Sequence, residues 1–276
     1  MKNVFVAGGT TGIGRAIALH YLARGARVTV TGSTPARGEL FLADAAALDA
    51  GAGDRAAFVQ ADLLSIAENH RVVKEIETRH DSLDALVLST MVPFPKRRET
   101  PDGNEAMFTL YYLSRFILSY GLTALLERGD RPIIASLGGT GAKGVPDWDD
   151  LQSEHNYSVI RSTIRAGRAN DLLGVHYVQN HPDGRTKFLL QRPPFTKSGT
   201  NHLPKPHRAI TKVLAALFAK PPEQSIRPTI ALLDSQPAER LILRAIDRPV
   251  DPGLPMFDPA NATRLYELTS HVLDGR

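Results

Sequence analysis

The sequence predicts a single α/β domain built on a doubly wound parallel sheet, and three observations carry that expectation. Short apolar runs of strand length alternate with amphipathic helical patterns along most of the chain. The first strand runs directly into a glycine turn and a helix, Val4-Phe5-Val6-Ala7-Gly8-Gly9-Thr10-Thr11-Gly12-Ile13-Gly14-Arg15. No repeat, low-complexity stretch or linker divides the 276 residues, a length that one core can organise.

The elements follow in order. Val4–Ala7 is the first strand, and Gly14–Arg24 the helix that the glycine turn launches. Arg27–Thr31 and Ala57–Gln60 read as the second and third strands, and Ser65–Arg79 as the next helix. Ala85–Ser89 is a fourth strand, followed by a long helical pattern over Gly103–Glu127. Pro132–Ser136, a helix over Ser162–Asn180, and Lys187–Gln191 complete the alternation. Strands separated by helices pair in parallel through right-handed crossovers, which gives a Rossmann-type sheet with its ligand crevice at the strand C-terminal ends. The Pro-rich stretches Pro193–Pro206 and Asp247–Pro259 read as loops inside this one domain, because helical patterns resume after both. Pro204–Lys220, with Leu214, Leu217 and Phe218 at helical spacing, is expected to cover an apolar substrate pocket, so residues 193–260 read as a C-terminal substrate loop and lid.

Composition narrows the function classes. With no cysteine, the chain has no disulfide, thiolate metal site or thiol nucleophile, as suits a reducing compartment, and the cytoplasm is the expected location. No apolar run approaches the ~18 residues of a spanning helix and no leader is evident, so a soluble chain is expected. The net charge is +4 and the pI about 9.4, yet the basic residues are scattered rather than massed among aromatics, which argues against nucleic acid. The nine histidines form no metal-ligand spacing, and His202 and His207 fall in a Pro-rich loop. No metal is expected.

Gly8, Gly12 and Gly14 stand as G-x3-G-x-G between strand and helix. There the turn must tighten, the backbone must approach a pyrophosphate, and helix N–H groups must face an anion. Thr10, Thr11 and Ile13 belong to the same turn. The second strand ends Thr31-Gly32-Ser33-Thr34 without the acidic residue that would take an adenosine ribose, whereas Arg15 and Arg37 could pair with a 2′-phosphate. NADP(H) is therefore expected over NAD(H), with Ser33 and Ser89 at neighbouring strand ends. Asp62 could accept from the adenine amino group while Leu63 packs on the base, or Asp62 could cap the following helix.

These features resemble the short-chain dehydrogenase/reductases, and within them the retinol-dehydrogenase-like branch. The resemblance is carried by the Gly8–Gly14 turn, Asp62-Leu63, Asp102-Gly103-x-Glu105 with Leu113 and Phe116, Asp150-Leu151-Gln152-Ser153-Glu154, Ala169-Asn170, and Pro193-Pro194 with Ser198. It implies cofactor contacts at Pro193 and Ser198, a small-molecule substrate, and a homodimer or homotetramer paired through the long fourth and fifth helices.

The resemblance breaks at the catalytic positions. The strand-four end that the family writes Asn-Asn-Ala-Gly is Leu88-Ser89-Thr90-Met91 here. Aligned on the flanking motifs, the family's relay asparagine falls on Tyr111, its serine on Gly138, its tyrosine on Thr163 and its lysine on Gly167. A different register offers Tyr157 with Arg161 as a tyrosine–cation pair on one helical face. Tyr157, however, precedes Thr163 by six residues, ~9 Å of helical rise. A tuned acid typically supplies about 10²–10⁴-fold in rate, so its replacement matters. Tyr111 is a candidate donor, and Thr163 a hydroxyl suited to orienting rather than protonating. Ser136, Asp149, Asp150 and Arg192 are further crevice candidates, whereas Arg165 and Arg168 are expected at the surface.

Three functions fit this reading: an atypical NADP(H)-dependent oxidoreductase acting on an apolar small molecule of specialised metabolism, a non-redox cyclase, isomerase or dehydratase on the same scaffold, or a non-catalytic nucleotide-binding regulator.

Overall fold

The computed structural model describes residues 1–194, apart from Lys143 and Val145, together with 221–274. Ser198, His202, His207 and the Pro204–Lys220 segment lie outside the described residues.

Strand β1 (Asn3–Ala7) leads through the glycine turn to α1 (Gly12–Leu22), and β2 (Arg27–Gly32) to α2 (Pro35–Ala46) and the short α3 (Ala52–Arg55). Next come β3 (Ala56–Gln60), α4 (Ile66–Arg79) and β4 (Ala85–Leu88). Ser65 caps α4 by accepting the Glu68 N–H at 3.3 Å. The segment expected as one long helix is broken into α5 (Ala106–Phe108), a π-helical stretch over Thr109–Leu113, α6 (Ser114–Gly121) and α7 (Thr123–Glu127). Then follow β5 (Ile133–Leu137), α8 (Val159–Asn180), β6 (Lys187–Arg192), α9 (Pro222–Ser225), α10 (Arg227–Ser235), β7 (Leu241–Ala245), β8 (Arg248–Pro249), a 3-10 turn (Pro255–Phe257) and α11 (Pro259–Asp274).

Among the described residues these strands form one sheet in the order β3-β2-β1-β4-β5-β6-β7-β8, parallel except for the final β7–β8 pair. Both faces are covered, as a parallel sheet requires. Phe5, Leu86, Leu88, Ile134 and Leu190 pack under α4, α6, α8 and α11, while Val4, Val6, Val28, Val87 and Ala135 pack under α1, α2 and α10. This alternation of adjacent residues between the two cores is the pleat of the strand.

One expectation is corrected. Of the stretch 193–260 expected as a lid, residues 227–249 are scaffold. Ile230 and Leu233 of α10 lie in the second core, and β7 pairs with β6 along its length, Phe188 opposite Leu241 through Arg192 opposite Ala245. On the first core, α11 packs against α6 and α8. Tyr266 stacks on His176 with ring centroids 4.1 Å apart, and Tyr112 Oη and Thr269 Oγ1 are 2.7 Å apart.

Candidate active site

The reversal of strand order on either side of β1 opens a crevice at the strand C-terminal ends. A cleft of about 430 Å³ there is lined by Gly8, the turn from Thr10 to Gly14, Gly32, Ser33, Thr34, Arg37, Ser89 to Val92, Gly138, and Arg192 to Pro194. A second lobe of about 240 Å³ shares Gly8, Gly32, Ser33, Thr90 and Val92, and adds Asp62, Leu63, Phe94, Arg98 and Leu110.

The turn is shaped for an anion. Gly8 and Gly12 adopt φ of 81° and 58°, which disfavour any side chain. A Cβ on Gly14 would stand 2.5 Å from the Gly8 carbonyl oxygen, so α1 can begin this close to β1 only without one. Ser89 secures the arrangement by donating to the Ala7 oxygen at 2.9 Å and the Gly8 oxygen at 3.3 Å. Thr11, at the N-cap of α1, makes no side-chain cap hydrogen bond. The opening N–H groups of α1 therefore face the cleft, with the positive end of the helix dipole behind them.

The other expected cofactor residues are distributed unevenly. Thr10, Thr11, Ile13, Ser33, Arg37 and Pro193 line the main cleft, and Asp62 and Leu63 the second lobe. Arg37 is exposed at the cleft edge. Arg15 is instead paired with Asp44 on α2 and is not part of the lining. Asp62 accepts the Leu64 N–H at 3.1 Å and leaves helix capping to Ser65.

Beneath the cleft, Tyr111 packs against Gly138 and Gly167. Tyr111, in the π-helical stretch, is only 2% exposed. A Cβ on Gly138 would stand 3.0 Å from the Tyr111 hydroxyl oxygen, and one on Gly167 would stand 3.7 Å from Tyr111 Cε1. Gly138 makes room for the phenol, whereas a Cβ at 167 would only stand in ordinary contact with it. Arg115, one helical turn further on, places its Cζ 4.4 Å from the Tyr111 ring centroid. Its Nη1 donates to Ser136 Oγ at 2.7 Å, its Nη2 donates to the Thr90 oxygen at 3.0 Å, and Ser136 Oγ donates to Asn170 Oδ1 at 2.7 Å. Ser136, a crevice candidate by its place at the end of β5, is thus a buried link. Arg115 and Asn170 were not singled out for function. The signal for Arg115 was an arginine four residues beyond Tyr111 in an otherwise apolar run.

The remaining candidates are occupied elsewhere. Thr163 donates to the Val159 oxygen at 2.6 Å, a bond within α8. Tyr157 lies before Ser158, the N-cap of α8, so it shares no helical face with Arg161, and its hydroxyl donates to the Phe94 oxygen. Arg165 pairs with Asp147 and, at 2.8 Å, with Asp150, pinning the loop after β5. Arg168, expected at the surface, is 1% exposed and pairs with the fully buried Asp171 at 2.8 Å. Its Nη2 also donates to the Gly139 oxygen at 2.8 Å.

Burial governs the protonation of this cluster. It raises the Tyr111 phenol above its ordinary value, against the pull of Arg115 and Arg168 and the hydrogen bond from the Gly139 N–H. It lowers Arg115 to about 10 and raises Asp171 to about 7 despite Arg168. Tyr111 is accordingly a neutral hydrogen-bonding group at pH 7, not a poised acid.

This architecture can be set beside known proteins. A family model described as short chain dehydrogenase matches residues 2–147. An uncharacterized oxidoreductase of Saccharomyces cerevisiae, YKL107W, is 32% identical over 178 residues, which are 62% of this chain and 54% of that protein. The chain therefore spans about half the length of that relative. Retinol dehydrogenase 14 of Mus musculus is 25% identical over 251 residues, 86% of this chain and 75% of the relative. A short chain dehydrogenase from Burkholderia cenocepacia, crystallised in complex with NADP, superimposes with a TM-score of 0.68 at 18% identity, covering 89% of this chain and 96% of that one. The family match includes the glycine turn, the strand-four end and the Tyr111 helix, and the fold extends the likeness across the sheet; the chain belongs to the short chain dehydrogenase family.

Proposed function

We propose that the cleft holds NADP(H) and that the chain is an atypical oxidoreductase acting on an apolar small molecule. The observation that carries this reading is the uncapped N-terminus of α1 behind a turn too tight for side chains at Gly8 and Gly14. The residues present fit a dinucleotide. The opening N–H groups of α1 would hold the pyrophosphate. Arg37, with no acidic residue at the end of β2, would hold a 2′-phosphate, and Asp62 with Leu63 would take the adenine. The NADP complex of the Burkholderia cenocepacia relative supports the same assignment.

When bound, NADPH supplies a hydride from C4 of its nicotinamide. The chain's own residues then have three tasks. Ile13, Met91, Val92, Pro193 and Pro194 give the cleft apolar walls that favour an apolar ligand. Arg115 and Arg168 against Asp171 leave a net positive charge below the cleft floor, which favours an oxygen that gains negative charge. Tyr111 offers a neutral hydroxyl next to Gly138, and the proton that completes an alcohol comes from solvent through the cleft rather than from a tyrosine–lysine pair.

The 2% exposure of Tyr111 favours a second reading, a nucleotide-binding protein without turnover. Incubation with NADPH carrying deuterium at C4 and a panel of apolar carbonyl compounds separates the two. Deuterium in the product supports the oxidoreductase. Stoichiometric NADPH binding with no product assigns the second reading.

A further inference from the structure

The amide of Asn170 has an orientation set by its neighbours. Its Oδ1 accepts from Ser136 at 2.7 Å and from Arg115 Nη1 at 3.4 Å. A guanidinium can only donate, so the amide oxygen must face Arg115 and the Nδ2 group must point the other way. There, among the described residues, it finds no acceptor: Asn170 is fully buried, and its Nδ2 has no hydrogen-bond partner among them. A buried amide donor left unmade is destabilising, which a fold avoids unless something else supplies the acceptor.

Nδ2 lies 3.4 Å from the position of a Cβ on Gly138, and the Tyr111 oxygen lies 3.0 Å from the same position. The two groups flank Gly138 without bonding each other. A phenol hydroxyl both accepts and donates, so Tyr111 can give its proton to an acceptor. Gly138 lines the main cleft, beside the apolar walls from Met91, Val92 and Pro193.

We propose that Asn170 and Tyr111 form a two-donor site that takes the carbonyl oxygen of an apolar ketone at the cleft floor beside Gly138. Arg115 is a positioning residue here: through Ser136 and Oδ1 it fixes which way the amide faces. The inference rests on the reading of the cleft as the nucleotide and substrate site.

The test is isotope-edited infrared spectroscopy of 13C=O-labelled 9-fluorenone bound to the protein, with and without NADP+, whose oxidised state prevents turnover. In the wild-type protein the carbonyl stretch is expected below its frequency in an aprotic solvent. Tyr111→Phe and Asn170→Asp should each lose part of that shift and weaken fluorenone binding roughly 3- to 10-fold, the effect of one hydrogen bond. Asn170→Asp keeps an oxygen for Ser136 and Arg115, and Tyr111→Phe keeps the ring under Arg115, so each checks the other against misfolding. No fluorenone binding to the wild-type protein, or the same stretch in all three proteins, overturns the proposal. Fluorenone binding with the expected shifts, but no affinity for NADP+, would count against the cofactor reading alone.

Discussion

Tyr111 and Gly138 occupy one side-chain volume between them, since a Cβ on residue 138 would come within 3.0 Å of the phenolic oxygen. A side chain at 138 therefore requires the buried phenol at 111 to give way by a few tenths of an ångström. Replacing Gly138 with serine should not rebuild a family-like site but displace Tyr111, costing about 1–3 kcal/mol, the usual range for overpacking. Adding Tyr111→Ala should relieve the clash, so the double variant is expected to be more stable than the sum of the two single changes. Urea unfolding of the four proteins measures it, and strict additivity would contradict the shared volume.

The glycine turn gives a second expectation. A Cβ on Gly14 would press on the Gly8 carbonyl and on Ser89, forcing the start of α1 away from β1. Gly14→Ala should reduce NADPH affinity at least tenfold while leaving the circular dichroism of the sheet and helices intact. Unchanged affinity by calorimetry would show that the nucleotide does not sit on this helix.

The two arginines expected to read a 2′-phosphate should separate. Arg37 lines the cleft, whereas Arg15 is paired with Asp44. Arg37→Ala should lower the preference for NADPH over NADH about tenfold, roughly the strength of one charge-assisted contact. Arg15→Ala should change that ratio less than twofold. Equal effects would mean that the Arg15–Asp44 pair opens on binding.

Asp171 gives stability a pH dependence of known sign. Burial raises its carboxyl from 3.8 to about 7, against Arg168 and the Thr140 hydroxyl. A group whose pKa is raised on folding contributes fully below its unfolded value, and that contribution disappears as pH rises through the folded value. Between about pH 5 and about pH 8 the wild-type protein should therefore lose stability relative to Asp171→Asn. Urea midpoints at both pH values test this; a constant difference between the two proteins would contradict it.

The scaffold was readable because its signals are local. Val4–Ala7, Arg27–Thr31 and Lys187–Gln191 are apolar runs that form strands at the expected places, with boundaries shifted by one residue. The glycine turn was readable because a tight strand-to-helix turn tolerates few residue types. What was not legible depended on contacts far apart in sequence. Arg168 looked like a surface charge because its local partner Asp171, three residues on, fits an exposed helical pair equally well, whereas its burial beneath the loop at Gly139, 29 residues away, leaves no mark in the sequence. The role of Ser136 could not be read either, since it follows from Arg115 and Asn170, which lie 21 and 34 residues away. The break in the helix at Thr109–Leu113 escaped because a π-helical turn has no distinct apolar period of its own. β7 was missed although Leu241–Ala245 is apolar, because the surrounding prolines read as loop.

The central claim, that a working nucleotide cleft persists above a refilled catalytic floor, is tested most directly by titrating the purified protein with NADPH and NADH and following nicotinamide fluorescence. The account predicts saturable binding at one site per chain, tighter for NADPH than for NADH, and abolished in Gly14→Ala. Absence of binding by both nucleotides, or equal binding by wild-type and Gly14→Ala proteins, would contradict it.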